Sequence, residues 1–298
     1  MNHLYKEQVR LLLRILPFIY REKDFAVHGG TAINLFVKDM PRYSVDVDLT
    51  YIPIEERESS LKNINAKLVA IGEGIKRAIP GIITKPVPDK LLCTLGASTV
   101  KIEVNGIQRG VIDDVVEMHL CAKAQNVFEM FCEAQIVPVS QLYGGKISAA
   151  LSRQHPRDLF DYKYMDIQNF ENIKSGLIYN LLGSNKPVVE LLSPNRIDQR
   201  DAMENQFKGM TDVDFSYTDY ELSRQHLVAF VNSNLNTSDK EFLISCEEGH
   251  PLWNNSEYGN FQLYPSIQWK QLNINKLKQN NPAKHKQGVK KLIDYFSS

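Results

Sequence analysis

The chain has 298 residues, 43% of them apolar and 23% charged, with 35 basic and 35 acidic side chains and therefore no formal net charge. That length suits two modest cores better than one, and the composition is that of a globular chain, which excludes a disordered or fibrous one. Neutrality excludes a surface that is drawn as a whole to nucleic acid, so any such contact has to come from a local basic patch.

Residues 4–19 repeat apolar positions at helical spacing. Arg14 and Pro17 interrupt the apolar run of residues 11–20, so no signal peptide is expected. No window is long enough to span a membrane, and a soluble cytoplasmic protein is the expectation. Phe25-Ala26-Val27-His28 is a short strand that runs into Gly29-Gly30, and Thr31 stands where a helix N-cap would be, ahead of residues 32–37. Residues 42–51 alternate as a strand: Val45, Val47 and Leu49 point one way, Ser44, Asp46 and Asp48 the other.

Residues 54–78 have helical character, closed by Pro80-Gly81. Residues 91–95, 99–105, 111–120 and 127–137 read as strands linked by turns. At Pro138 the character changes. Residues 139–165 are helical with a break near His155-Pro156, because a proline disfavours helix at the residue before it, and helices and loops alternate from there on. The expected organisation is an α/β part over residues 1–138 and a mainly helical part over residues 139–298, with the substrate cleft between them. Cys93, Cys121, Cys132 and Cys246 show no CxxC pair and point to reduced thiols, with neither zinc nor a disulfide framework.

The chemistry concentrates on the wet face of the strand at 42–51. Asp46 and Asp48 project from one side, about 7 Å apart along the chain. Two carboxylates held by rigid backbone suit a hard cation such as magnesium, which prefers oxygen ligands and shares them with triphosphate oxygens. An isolated D-x-D is ordinarily a solvated strand face, but the context here differs. Upstream, the Gly29-Gly30 turn offers bare amides of the kind that bind phosphate. Downstream, Lys101-Ile102-Glu103-Val104 brings a third carboxylate on another strand. Glycine turn, paired aspartates and a later acid, in that order, match an in-line nucleotidyl-transfer site.

The stretch His28-Gly29-Gly30-Thr31-Ala32-Ile33-Asn34-Leu35, followed by Arg42-Tyr43-Ser44-Val45-Asp46-Val47-Asp48-Leu49, resembles the signature of the AbiEii/AbiGii toxin family. These are bacterial nucleotidyltransferases of toxin–antitoxin and phage-defence systems, and the MenT toxins belong with them. The wider DNA polymerase β-like superfamily usually carries Gly-Ser at the glycine turn; Gly-Gly-Thr is similar to the form in this subfamily. The third motif is matched by Tyr143-Gly144-Gly145-Lys146-Ile147-Ser148-Ala149-Ala150-Leu151, and the fourth by Arg153 with Arg157-Asp158-Leu159-Phe160-Asp161. The resemblance covers roughly residues 25–165.

The resemblance implies an α/β (α+β) polymerase β-like core with a mixed sheet, followed by a helical domain. It implies transfer of a nucleoside monophosphate from an NTP to an acceptor hydroxyl, the tRNA 3′ end, with growth arrest as the effect and an antitoxin encoded alongside. Asp46, Asp48 and Glu103 would hold two magnesium ions, with manganese as a substitute. Gly29, Gly30, Thr31 and Lys146 would bind the triphosphate. Asp158 and Asp161, spaced i, i+3, share one helix face; which of them orients Lys146 and which pairs with Arg153 or Arg157 stays open. Ser44 faces the Asp46 side, as a phosphate contact or as a small filler.

Weaker candidates remain. His28 and His155 border motifs and read as hydrogen-bonded structural residues. Trp253, Tyr258, Phe261, Tyr264 and Trp269 read as packed core, with base stacking as the alternative. Lys276, Lys278, Lys284, Lys286, Lys290 and Lys291 make the C-terminal region basic. That is either a solvated helix face or, for an RNA acceptor, a phosphate-contacting surface. Two rivals stand beside the main reading: a nucleotidyltransferase acting on a small molecule or a protein, and a nucleotide-binding regulator without catalysis. Three intact acids argue against the second.

Overall fold

The computed structural model describes residues 2–297. The chain divides into two compact units, Met1–Leu142 with Met203–Phe215, and Tyr143–Ala202 with Ser216–Ser298. The segment Met203–Phe215, which follows the helical stretches at 143–202 in sequence, thus packs with the first unit: Tyr43 N–H donates to the Met210 carbonyl at 2.7 Å, and the Thr211 hydroxyl to the Pro41 carbonyl at 2.8 Å.

The first unit is built on helix α1 (Asn2–Tyr20), strand β1 (Phe25–His28), the one-turn helix α2 (Gly29–Ala32) running into a π-turn (Ile33–Val37), β2 (Val47–Tyr51), α3 (Arg57–Ala78), β3 (Ile83–Val87), β4 (Lys90–Leu95), β5 (Ser98–Val104), β6 (Val116–His119), α4 (Ala122–Phe128) and β7 (Glu133–Ile136). The strands form one seven-stranded mixed sheet in the order β3-β4-β5-β2-β1-β7-β6. The β1–β7 and β2–β5 pairs are parallel and the others antiparallel. The expected α+β class with a mixed sheet is the class observed.

Strand alternation decides which side of the sheet is dry. Val47, Leu49, Leu91, Ile102 and Val104 are buried, and α1 lies against β5 and β7 while α3 covers β3 and β4. Phe25 and Tyr51, register partners at the end of the β1–β2 pair, pack with tilted rings whose centres are 5.7 Å apart. Burying a side chain of this size contributes roughly 1.5–3 kcal/mol, so this dry face anchors the strands that carry the acids.

Several local expectations change. The strand expected at residues 42–51 is regular only over Val47–Tyr51; residues 42–46 are irregular, with Arg42, Tyr43 and Ser44 buried rather than alternating. The N-cap of α2 is His28, not Thr31, because helix begins directly at Gly29. In the stretch expected as strand at 111–120 only Val116–His119 pairs, since Asp113 and Asp114 favour turns over ladders. Residues 122–128 form a helix that buries Ala124 and Phe128 on one face. Strand β3 was not expected. It is an exposed edge strand with Pro86 inside it, where a missing N–H costs little and no apolar alternation is required.

The second unit is all helical: α5 (Val139–Arg153, within this unit from Tyr143), α6 (Pro156–Met165), α7 (Glu171–Leu182), α8 (Val188–Leu192), α9 (Arg200–Ala202), α10 (Tyr217–Asn234), α11 (Thr237–Glu247), α12 (Pro265–Asn280) and α13 (Pro282–Ser297), with short 3₁₀ turns between α11 and α12. The break expected at His155-Pro156 separates α5 from α6, and His155 Nδ1 accepts the Arg157 N–H. Capping boxes Ser216/Asp219 and Asn236/Asp239 start α10 and α11, each cap contributing about 1 kcal/mol.

Tyr258, Phe261 and Tyr264 are buried and cluster with Tyr179, so these aromatics are core as expected, whereas Trp269 is exposed. Gly144 has a packing reason: a Cβ there would lie 2.2 Å from the Gly176 backbone, so only glycine lets α5 cross α7. No helix among the described residues is long and apolar enough to cross a membrane.

Candidate active site

In the first unit a polar row crosses four strands. His28 on β1 is the register partner of Asp48 on β2, Asp48 of Glu103 on β5, and Glu103 of Lys90 on β4. Register partners share a face, and the residues on either side of the row, among them Val47, Leu49, Ile102 and Val104, fill the opposite, buried one. The parallel β2–β5 pair therefore brings two carboxylates that are 55 positions apart in sequence onto adjacent strands, about 4.8 Å apart at the backbone. Asp46 lies one residue before β2 starts and is held there by its own backbone: the Thr31 hydroxyl donates to the Asp46 carbonyl at 2.5 Å.

The glycine turn is fitted around these groups. Gly29 has φ +70°, and a Cβ on it would fall 2.5 Å from Asp48 Oδ2. A Cβ on Gly30 would fall 2.6 Å from Arg42 Nη2 and 3.0 Å from Ser44 Oγ. The two glycines thus make room for a carboxylate on one side and a buried guanidinium on the other. Ser44 is 3.0 Å from the Thr31 hydroxyl and buried, as is Arg42, whose Nη1 donates to the Tyr43 carbonyl. Asn34 donates back to the Gly30 carbonyl at 2.9 Å, and His28 Nδ1 meets the Thr50 hydroxyl at 3.0 Å.

Glu103 is engaged from both sides. Lys90 Nζ is 2.9 Å from Oε1 and Lys101 Nζ 2.6 Å from Oε2. Burial works against the charge of Glu103, yet Lys101 and then Lys90 hold its carboxyl below the usual range. The hydrogen bond that Lys101 donates to Glu103 pushes the Lys101 ammonium upward against burial, and the charges of Asp46 and Asp48 add to that push. Lys101 therefore feels all three acids at once.

In the second unit, Lys146 on α5 is buried, its ammonium 3.1 Å from Asp158 Oδ1 and 2.8 Å from Asp161 Oδ2, both on α6. Arg153 completes the group, donating through Nε at 2.5 Å and Nη2 at 3.0 Å to Asp158. Burial alone would raise the Asp158 carboxyl, but Lys146 and Arg153 hold it well below the carboxylate range. The division of labour that the i, i+3 spacing left open is that Asp158 bridges Lys146 and Arg153 while Asp161 faces Lys146. The structure thus brings together Gly29, Gly30, Thr31, Ser44, Asp46, Asp48 and Glu103 in one unit, and Lys146, Asp158 and Asp161 in the other.

The sequence profile of the nucleotidyl transferase AbiEii toxin family, type IV toxin–antitoxin system, matches residues 10–210. The chain belongs to the AbiEii family. No curated protein matches it. Among solved structures it is similar to MenT4, a nucleotidyltransferase toxin from Mycobacterium tuberculosis H37Rv, with a TM-score of 0.61 at 13% identity over 84% of this chain and 89% of that one. At that identity the likeness is one of fold.

Nucleotidyltransferases of this kind generally use divalent metals. Asp46 and Asp48 offer oxygen donors only, the kind magnesium takes, usually one or two carboxylates with substrate phosphates completing the shell. Gly29 leaves Oδ2 of Asp48 uncovered by any side chain of its own. These two residues fit a metal–triphosphate. Among the described residues no three His, Cys, Asp or Glu side chains form a ready-made metal cluster; Glu103 carries a lysine on each carboxylate oxygen, so a cation there would compete with both.

Arg42, Lys90 and Lys101 stand among the expected residues of this AbiEii fold without being expected there themselves. Lys101 was legible, two residues from Glu103 on an alternating strand and hence on its face. Lys90 joins the row through the β4–β5 register, which no single stretch of sequence carries.

Proposed function

We propose that the protein transfers a nucleoside monophosphate from an NTP to an acceptor hydroxyl, the 3′ end of tRNA, and acts in the cytoplasm as the growth-arresting toxin of a type IV, phage-defence toxin–antitoxin pair. Membership in the family supports the toxin role and implies an antitoxin partner. The single observation that carries the chemistry is the placement of Asp48 between Gly29 and Glu103 on one polar sheet face.

Asp46 and Asp48 would hold the magnesium, with Glu103 joining for a second ion once Lys90 or Lys101 lets go. Bound there, the metal supplies positive charge to the triphosphate oxygens. The Gly29-Gly30 turn would offer its backbone amides to the phosphates, and Thr31, bonded to Ser44 and to the Asp46 carbonyl, fixes the backbone that aims Asp46. Arg42 adds a buried positive charge beside that turn. By the family resemblance Lys146 is the lysine that offsets triphosphate charge, with Asp158 and Asp161 as the residues that position its ammonium. The acceptor oxygen forms its bond to the α-phosphorus as the bond to pyrophosphate breaks; the hydroxyl proton leaves toward Glu103 or water.

The test is to incubate the protein with total RNA, each labelled NTP in turn, and magnesium. Label on tRNA with one or more NTPs, absent with Asp48→Asn, supports the reading. A folded protein that labels no RNA with any NTP overturns the acceptor, and one that releases no pyrophosphate with any acceptor overturns the reaction.

A further inference from the structure

The second unit holds a groove that the chemistry above does not use. It is lined by Arg196, Arg200 and Arg224 with Tyr217, Asp198 and Glu221, and encloses about 520 Å³, within the range of sites that take a small ligand. Arg224 is buried, held by Glu221 and by Gln154 Oε1 at 3.2 Å. Arg200 pairs with Asp198 at 2.7 Å, and its guanidinium carbon lies 4.6 Å from the Tyr217 ring centre, yet its side chain is 71% exposed. Tyr217 in turn stacks on Tyr220, ring centres 5.0 Å apart. Arg196 is exposed and has no hydrogen-bond or ion-pair partner among the described residues. Three guanidiniums stand against two carboxylates, so the groove is positive on a protein that is neutral overall.

The groove is tied to the Lys146 cluster through one residue. Gln154 is buried and held at φ +51° between α5 and α6, directly after Arg153. Its Nε2 donates to the Asn195 carbonyl at 2.6 Å, its Oε1 accepts from Ile197 N–H at 3.3 Å and from Arg224, and its own carbonyl accepts the Tyr220 hydroxyl at 2.9 Å. The same junction that sets Arg153 on Asp158 therefore builds the wall of the groove.

We propose that this groove holds a nucleotide of a single-stranded RNA acceptor, its phosphate taken by Arg196 with Arg224 and its base stacked on the outer face of Arg200. The proposal rests on the nucleotidyl-transfer reading. Guanidiniums bind phosphate oxygens in a fork that ammonium groups cannot match. A bare anion has no use for a flat, exposed guanidinium braced from behind by two tyrosines, whereas an unstacked base does. A duplex keeps its base faces covered, which is why the occupant is single-stranded.

The test is fluorescence anisotropy with a labelled single-stranded oligoribonucleotide, without NTP, at several salt concentrations. Arg196→Gln/Arg200→Gln changes two exposed side chains and leaves the buried Arg224 in place. It should bind about tenfold more weakly and lower the salt slope by about 0.7 for one lost phosphate contact. A duplex of the same length should not discriminate between the variant and the wild type, and neither should free NTP. Lys284→Gln/Lys286→Gln/Lys290→Gln/Lys291→Gln, on the exposed face of α13, should keep single-strand affinity within about threefold.

Unchanged single-strand affinity in the arginine variant, in a protein that still labels RNA, overturns the groove and leaves the transfer reading intact. Loss of NTP binding in place of RNA binding, or an equal loss for duplex, also overturns it. Weakened single-strand binding by the variant, with a wild-type protein that releases no pyrophosphate with any acceptor, upholds the groove as an RNA site and overturns the transfer reading instead.

Discussion

A side chain on Gly29 would put its Cβ 2.5 Å from Oδ2 of Asp48. The glycine's φ of +70° is costly for any other residue besides, about 1–2 kcal/mol. Gly96, in the turn between β4 and β5, has φ +58° and nothing within 4 Å of where its Cβ would be. Gly29→Ala and Gly96→Ala should therefore cost similar stability, a few degrees of melting temperature each. Only Gly29→Ala should lose activity, by about a hundredfold, since a displacement near 1 Å at reacting groups has that scale of effect. Equal label transfer by both variants would show that the Asp48 carboxylate has no fixed place in the chemistry.

Asp48→Asn and Asp46→Asn keep shape and remove charge. Neither residue sits in the apolar core, so both variants should melt within a few degrees of the wild type while transfer falls at least a thousandfold, beyond rescue by raised magnesium. Chelating divalent ions from the wild-type protein should stop the reaction, and magnesium or manganese should restore it. Full activity in the chelator would remove the metal from the account.

Much of this site could be read along the chain because its parts are local: the glycine turn lies directly after a strand, and Asp46 and Asp48 are two residues apart. What joins them is not local. That Asp48 and Glu103 sit side by side follows from the parallel pairing of β2 with β5, which the intervening α3, β3 and β4 separate in sequence and no periodicity encodes. The register also brings Lys90 to Glu103, and the irregular stretch at 42–46 buries Arg42 where strict alternation would have sent Ser44 and Asp46 to one wet face. The β3 edge and helix α4 went unread for a simpler reason. An exposed strand has no need of alternating apolar residues, and a seven-residue helix carries only two buried positions, Ala124 and Phe128.

The two lysines on Glu103 should compete with divalent cations. Both pairs are partly exposed, so each contributes at most about 1 kcal/mol. Lys101→Met should lower the half-saturating magnesium concentration by up to about fivefold, and more than Lys90→Met, because Lys101 also feels Asp46 and Asp48. A magnesium titration of transfer rate reads this directly. An increased requirement in Lys101→Met would mean that the ammonium assists the phosphates and does not hold the metal position.

Lys146 is the residue for which stability and chemistry have to be separated. Its ammonium is buried between Asp158 and Asp161, so Lys146→Ala removes the cation that both buried carboxylates share and should cost about 3–5 kcal/mol. Replacing the Lys146–Asp161 pair by apolar groups of similar size, Lys146→Met with Asp161→Leu, should recover most of that loss and still fail to use NTP. Wild-type turnover in the recovered double variant would reduce the cluster to a packing device.

The pH dependence adds an independent reading of the same cluster. Asp158 is held below its unfolded value by Lys146 and Arg153, which outweigh burial. Its contribution to stability is then complete above the unfolded carboxylate pKa of about 3.9 and is shed as pH falls below that toward the folded value. The stability gap between wild type and Asp158→Asn should be constant above about pH 5 and narrow as pH falls below about 4. Denaturant melts at pH 7, 5, 4 and 3 would measure it, and a gap that widened on acidification would mean that Asp158 is protonated, not ionised, in the folded protein.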